Sequence, residues 1–141
     1  MFFLFKLPGA FFFGLNLKSI DLERSVIEVP YRWSTKNPFQ SIYFAALTAA
    51  AELSTGILAL AATEGKSMSM LVTKVQGEFL KKAKSITFFE CNEVGALLQA
   101  VAIAQENEQG AVVSLNSTGK NEQGDVIARF TFEWSFRKKS R

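Results

Sequence analysis

Residues 42–63 read IYFAALTAAAELSTGILALAAT, an apolar run interrupted by one charge, Glu52, near its middle. At about 1.5 Å of rise per residue such a helix is long enough to cross a bilayer. Glu52 would then lie near the midplane, at a cost of about 3 kcal/mol or more, and the alanines keep the run only moderately hydrophobic. The sequence therefore predicts a central helix buried in a soluble sheet, and everything else must wrap it. A lone carboxylate there is expensive to bury unless something pairs with it or uses it.

The signals around this helix agree. Asn37-Pro38 marks a turn, Ser41 is placed to cap the helix, and Gly65 stands at its end. On a wheel at about 100° per residue, Ser41, Ala45, Thr48, Glu52, Thr55, Gly56 and Ala59 share roughly a third of the circumference. Leu47, Leu53, Ile57, Leu58 and Leu60 lie outside that stripe. One face is thus small and polar, with room for a ligand or another backbone, while the large apolar face packs on a sheet. Glu52 has a plainer reading too, hydrogen-bonded to Thr48 or Thr55 or lying at a dimer contact.

Strands are expected at residues 17–22, 25–32, 67–80, 84–90, 111–118 and 125–137, with a hairpin loop at 119–124. A second helix is expected at residues 93–106, capped by Asn92, with Val94, Leu97, Leu98, Val101 and Ala104 on one face. The last strand alternates most clearly: Val126, Ala128, Phe130, Phe132, Trp134 and Phe136 on one side, polar residues on the other, Ile127 the exception. That is an antiparallel sheet with one buried face. The class is α+β, one domain over residues 1–141, with a curved sheet around the residue 42–63 helix.

Composition removes several chemistries. The chain has no histidine and one cysteine, Cys91. Histidine-based triads, histidine metal sites, a structural zinc site and an intrachain disulfide are excluded. The single cysteine fits a reducing cytoplasm, the expected location. A net charge of +3, partly from the tail, is too diffuse for a nucleic-acid stripe, so no nucleic-acid partner is expected. The Phe-rich start, residues 1–14, is interrupted by Lys6, Pro8 and Gly9 and lacks the layout of a signal peptide. It reads as an N-terminal apolar helix or turn docking its Phe residues on the body. A membrane-surface anchor is the alternative, and membrane contact is not the expectation.

The layout resembles the hotdog fold of acyl-CoA thioesterases, in particular the PaaI-like thioesterases and a related uncharacterised branch. Asn37 matches the family's Asn, Tyr43 stands six residues on in place of its His, and Glu52 nine further on in place of its acid. FLKKAKSITF, residues 79–88, is similar to the family's link between two long strands, with Lys82 in place of Pro. Gln40 replaces a glycine, and Phe44-Ala45 replace a Gly-Gly pair.

The resemblance implies an acyl-thioester hydrolase with Glu52 as base or nucleophile. Asn37 and Tyr43 would orient substrate or water, and the backbone N–H groups of Tyr43 and Phe44 would form the oxyanion site. Thr48 and Thr55 would line the acyl pocket, and Lys81, Lys82 and Lys84 would meet the CoA phosphates. It implies acyl-CoA or a similar thioester as partner, no cofactor beyond CoA as part of the substrate, no metal, and a homodimer or tetramer. In the dimer, Glu52 of one subunit would face Asn37 of the other. The alternative is a non-catalytic hotdog dimer binding a fatty-acyl or other apolar ligand.

Overall fold

A computed structural model describes residues 5–140. The expected N-terminal helix or turn therefore has its first four residues outside the described part. A short helix α1, Pro8–Phe13, leads into β1, Asn16–Ile20, and β2, Ser25–Val29. The long helix α2, Phe44–Thr63, follows, then β3, Met68–Phe79, and β4, Thr87–Cys91. Helix α3, Val94–Glu106, precedes β5, Ala111–Lys120, and β6, Val126–Lys138. The strands form one antiparallel sheet in the order β1-β2-β4-β5-β6-β3. The sheet curls around α2: this is the hotdog fold.

The driving force is the expected one. Leu47, Leu53 and Leu58 of α2 are buried in one cluster with Ile27, Val29, Phe89, Leu115, Phe130, Phe132 and Phe136 of the sheet. Each fully buried large side chain contributes about 1.5–3 kcal/mol. Helix α2 is long and apolar enough to cross a membrane by composition, yet more than half of that run is buried inside the protein. Three buried serines fix its height: Ser25 Oγ donates to the Ser54 carbonyl, and Ser54 Oγ meets Ser117 Oγ at 2.7 Å. The helix is thereby tied to β2 and β5.

Several boundaries differ from the sequence reading. Helix α2 starts at Phe44 because Tyr43, at ψ 134°, has a non-helical backbone, and the N–H groups of Ile42 and Tyr43 donate to the carbonyls of Ala83 and Thr35. Ser41 is not its cap: the hydroxyl donates to Asn37 Oδ1 at 3.2 Å. Gly65, at φ 75°, does follow its last turn. Strand β2 stops at Val29 because Pro30 has no N–H for the ladder, and Thr35 Oγ1 donates to the Pro30 carbonyl instead.

Asn92 does not cap α3, which begins at Val94 with no side-chain cap bond. The Glu93 carboxylate accepts the Asn116 N–H across the sheet. Leu98 is exposed, whereas Leu97, Val101 and Ala104 are buried as expected. Gly119 and Lys120 belong to β5, and the turn is made by Asn121, whose Oδ1 accepts the N–H groups of Gln123 and Asp125. Strand β6 keeps its alternation, with Phe130, Phe132, Trp134 and Phe136 inward.

Gln40, standing where the resembled family has glycine, has φ 62°. A left-handed backbone is adopted here by a residue that Cβ sterics penalise. Gln40→Gly is expected to raise unfolding stability by about 0.5–1 kcal/mol, the relief of that strain less the added chain entropy of glycine. Urea titration of both proteins checks this; an unchanged or lower midpoint would show that the Gln40 side chain contributes more than its backbone costs.

Candidate active site

The turn before α2 is built on Asn37. Its Oδ1 accepts the N–H groups of Phe39 at 2.9 Å and Ser41 at 3.2 Å, besides the Ser41 hydroxyl. Its own N–H donates to the Ser41 carbonyl at 2.8 Å. Asn37 thus shapes the loop that delivers the helix start, and its side-chain oxygen is already occupied. The turn forms one wall of an open groove of about 490 Å³. The groove brings together Asn37, Tyr43, Phe44, Lys81 and Lys82, with Phe39, Phe79 and Leu80 supplying apolar surface. Tyr43, Phe44 and Phe79 stack edge to face in sequence, with centroids 5.2 and 6.1 Å apart.

Two expected roles change at the helix start. The Tyr43 N–H donates to the Thr35 carbonyl at 2.7 Å and cannot serve an oxyanion. Among the described residues none accepts the N–H of Phe44 or of Ala45. Those two amides stand at the positive end of a twenty-residue helix, and of the two residues Phe44 lines the groove. Lys81 Nζ is 2.7 Å from Asp125 Oδ2, which holds the Asp125 carboxyl below its ordinary value. Lys82 lines the groove, and Lys84 is exposed but does not.

Glu52 lies elsewhere. Nine residues beyond Tyr43, it is about 13 Å further along the helix axis. It is half-buried, and among the described residues no donor reaches its carboxylate. Thr48 Oγ1 donates to the Phe44 carbonyl and Thr55 Oγ1 to the Glu52 backbone carbonyl, both at 2.8 Å. The hydrogen-bonded reading of Glu52 does not hold, and burial alone pushes its carboxyl above the ordinary value.

Thr55 is fully buried and also accepts the Trp134 indole N–H at 2.9 Å. It anchors β6 to the helix rather than facing an acyl chain; Thr48, half-buried, remains beside Glu52. Two further residues, Gly56 from the small face and Trp134 from β6, complete the surroundings of Glu52. A Cβ built on Gly56 would be 3.1 Å from Glu52 Oε1 and 3.4 Å from Trp134 Cζ2. The missing side chain of Gly56 makes the seat for the carboxylate, and the Trp134 ring closes the other side. The inward alternation of β6 pointed to Trp134 as a core residue without showing what it meets.

The groove and Glu52 are therefore two parts on one protomer, separated along one helix. Among the described residues no cluster of three His, Cys, Asp or Glu side chains could hold a metal. Cys91 is buried, and burial pushes its thiol up to about 11, so it is no nucleophile near neutral pH.

A curled sheet around a helix that carries an acid and a polarised N-terminus defines a hotdog domain. Within that class the chain belongs to the family described as domain of unknown function DUF4442, which it matches over residues 1–136. It is similar in structure to a Pseudomonas aeruginosa protein of unknown function described as a probable thioesterase: TM-score 0.87, 23% identity, 98% of this chain and 92% of that one. A Chlorobaculum tepidum protein of unknown function gives TM-score 0.86 at 18% identity, covering 98% of this chain and 91% of that one. A Haemophilus influenzae thioesterase gives 0.73 at 12%, covering 96% and 86%. At these identities the likeness is one of fold. No curated protein matches the sequence.

The raised Glu52 carboxyl makes a stability prediction. A carboxyl raised on folding contributes fully below its unfolded value, near 4.5, and that contribution is lost as pH rises through the folded value. Glu52→Gln is therefore expected to melt higher than wild type at neutral pH, by a few °C at most, with the advantage vanishing as pH falls to about 4. Melting curves between those limits check the sign. A variant less stable at neutral pH would mean that the charged carboxylate is paired in solution.

Proposed function

We propose that this protein is an acyl-thioester hydrolase acting on acyl-CoA or a similar carrier thioester in the cytoplasm. The observation that carries the reading is Glu52: a half-buried carboxylate with no partner among the described residues, seated on a glycine and raised by burial. A carboxylate poised nearer neutral pH suits general-base work. The thioester oxygen would lie against the N–H groups of Phe44 and Ala45, where negative charge is favoured. Glu52 would take a proton from a water attacking the carbonyl carbon. Collapse of the tetrahedral intermediate would break the C–S bond, and the proton would pass to the departing thiolate. Direct attack by Glu52 followed by hydrolysis of the anhydride is the same chemistry in two steps. Tyr43 at the rim would orient substrate, and Lys82, with Lys81 and Lys84 nearby, would meet the carrier phosphates.

Because the groove and Glu52 are far apart on one chain, the reading includes a homodimer in which each subunit's Glu52 faces the other's groove. Strand β3 supports it. It pairs with β6 on one side only and carries exposed Leu71, Val75 and Phe79. A long apolar edge strand left open invites pairing with another chain. The alternative, a non-catalytic dimer holding an acyl ligand, draws on Tyr43 and Phe44, bulkier than the residues they replace in the resembled family.

Thiol release from a panel of aromatic and short- to long-chain acyl-CoAs tests the chemistry. Turnover is expected on part of the panel and should fall about 10²-fold or more in Glu52→Gln, with KM little changed. No turnover from folded wild type on any member would sink the hydrolase reading and favour the acyl-binding alternative.

Sedimentation of the Leu71→Lys/Val75→Lys double variant tests the assembly. A wild-type dimer that becomes a folded, inactive monomer is expected. A variant that stays dimeric would place the contact elsewhere.

A further inference from the structure

The Phe-rich start divides its residues between two environments. Ala10 and Leu15 are buried in the core cluster and Phe13 packs against it. Phe5, Phe11 and Phe12 are instead 71%, 56% and 57% exposed, and Trp33, from the loop after β2, is 77% exposed. Trp33 stands edge-on to Phe12, with centroids 6.5 Å apart. The patch is held in place by hydrogen bonds. Gly14, at φ 71°, closes α1 with its N–H on the Phe11 carbonyl at 2.9 Å. Arg32 lies so close over Gly14 that a Cβ there would be 2.4 Å from the guanidinium carbon. Arg32 Nη2 also donates to the Phe12 carbonyl at 3.2 Å, and its Nε donates to Ser34 Oγ at 3.0 Å. Phe11 and Phe12 of the helix and Trp33 of the loop thus line one surface, with Phe5 just before the helix also exposed.

The two segments that build that surface carry charge of one sign. Residues 5–20 carry Lys6 and Lys18, and residues 30–44 carry Arg32 and Lys36; neither segment holds an acid. The acid facing β1, Glu28, accepts a hydrogen bond from Asn16 Nδ2 at 2.8 Å. Exposed Phe and Trp rings on two segments that carry cations and no acid match the boundary of an anionic bilayer, where aromatic rings settle at headgroup depth and cations meet lipid phosphates. The patch is built on the β1 end of the sheet, opposite the β3 edge. Its loop runs on to Asn37, at the wall of the groove.

We propose that Phe5, Phe11, Phe12 and Trp33, with Lys6, Arg32 and Lys36 around them, dock this protein reversibly on the surface of an anionic lipid bilayer. The inference stands apart from the hydrolase reading and needs no turnover for its test. One consequence, if both hold, is that the groove opens close to the lipid surface.

The full chain is mixed with phosphatidylcholine vesicles and with vesicles containing a quarter phosphatidylglycerol, and followed by co-sedimentation and tryptophan emission. Trp33 is the exposed one of two tryptophans and Trp134 is buried, so insertion reads as a blue shift lost in Trp33→Phe. Binding is expected on the anionic vesicles, weakened by salt. It should fall about tenfold or more both in Phe11→Ser/Phe12→Ser and in Lys6→Glu/Lys36→Glu, each with an unchanged melting temperature. No sedimentation of wild type with anionic vesicles overturns the proposal. So does equal binding to both vesicle types, which would remove the charge match. Dissociation of the oligomer by Phe11→Ser/Phe12→Ser, without loss of vesicle binding, would assign the patch to contact between copies and overturn it as well.

Discussion

The fold depends on one burial: the large apolar face of α2 against the concave side of a single sheet. Leu47, Leu53 and Leu58 meet the phenylalanines of β4 and β6 there, and the other strands complete the wall. Because the sheet wraps the helix rather than stacking on it, the helix is covered on most of its circumference. What stays open is set by side-chain size. Gly56 lets the β6 side come close, and Trp134 reaches Thr55 across that approach. The position of Glu52 follows from the same packing, since it is the residue on the small face at the point where coverage gives out.

That placement gives the acid its chemistry. A carboxylate on an exposed helix would be solvated, and one paired with a lysine would be held in its charged form. Glu52 is neither: burial raises its carboxyl, and the nearby hydroxyls are spent on backbone carbonyls. The helix start carries the complementary half, two amides with no acceptor among the described residues. The helix holds Glu52 about 13 Å from its start, which is why the proposed hydrolase includes a second subunit. The open edge of β3 is what the proposed dimer would use.

The electrostatic features fall into separate regions. Lys81 is tied to Asp125 beside the β5–β6 turn, while Lys82 is left for the groove. Arg32 ties α1 to the loop after β2 through the Phe12 carbonyl. Cys91, buried and with its thiol pushed up, takes no part in either region.

Periodicity made much of this legible. The apolar run with its central acid, the alternation of β6 and the turn at Asn37-Pro38 were enough to give the class, the wrapped helix and the spacing from Asn37 to Glu52. Local sequence did not decide where hydrogen bonds go when two candidates compete. Ser41 looked like a cap, but the Asn37 side chain claimed its hydroxyl; the Tyr43 amide looked free, but the Thr35 carbonyl lay within reach. Thr55 looked like a pocket residue until β6 brought an indole N–H to it from 79 positions away. Periodicity is a property of neighbours in the chain, so the sequence by itself determined the elements and the faces they bury. Which donors remain unspent, and how crowded Glu52 is, depend on groups brought together from distant positions, and only the tertiary structure decided them.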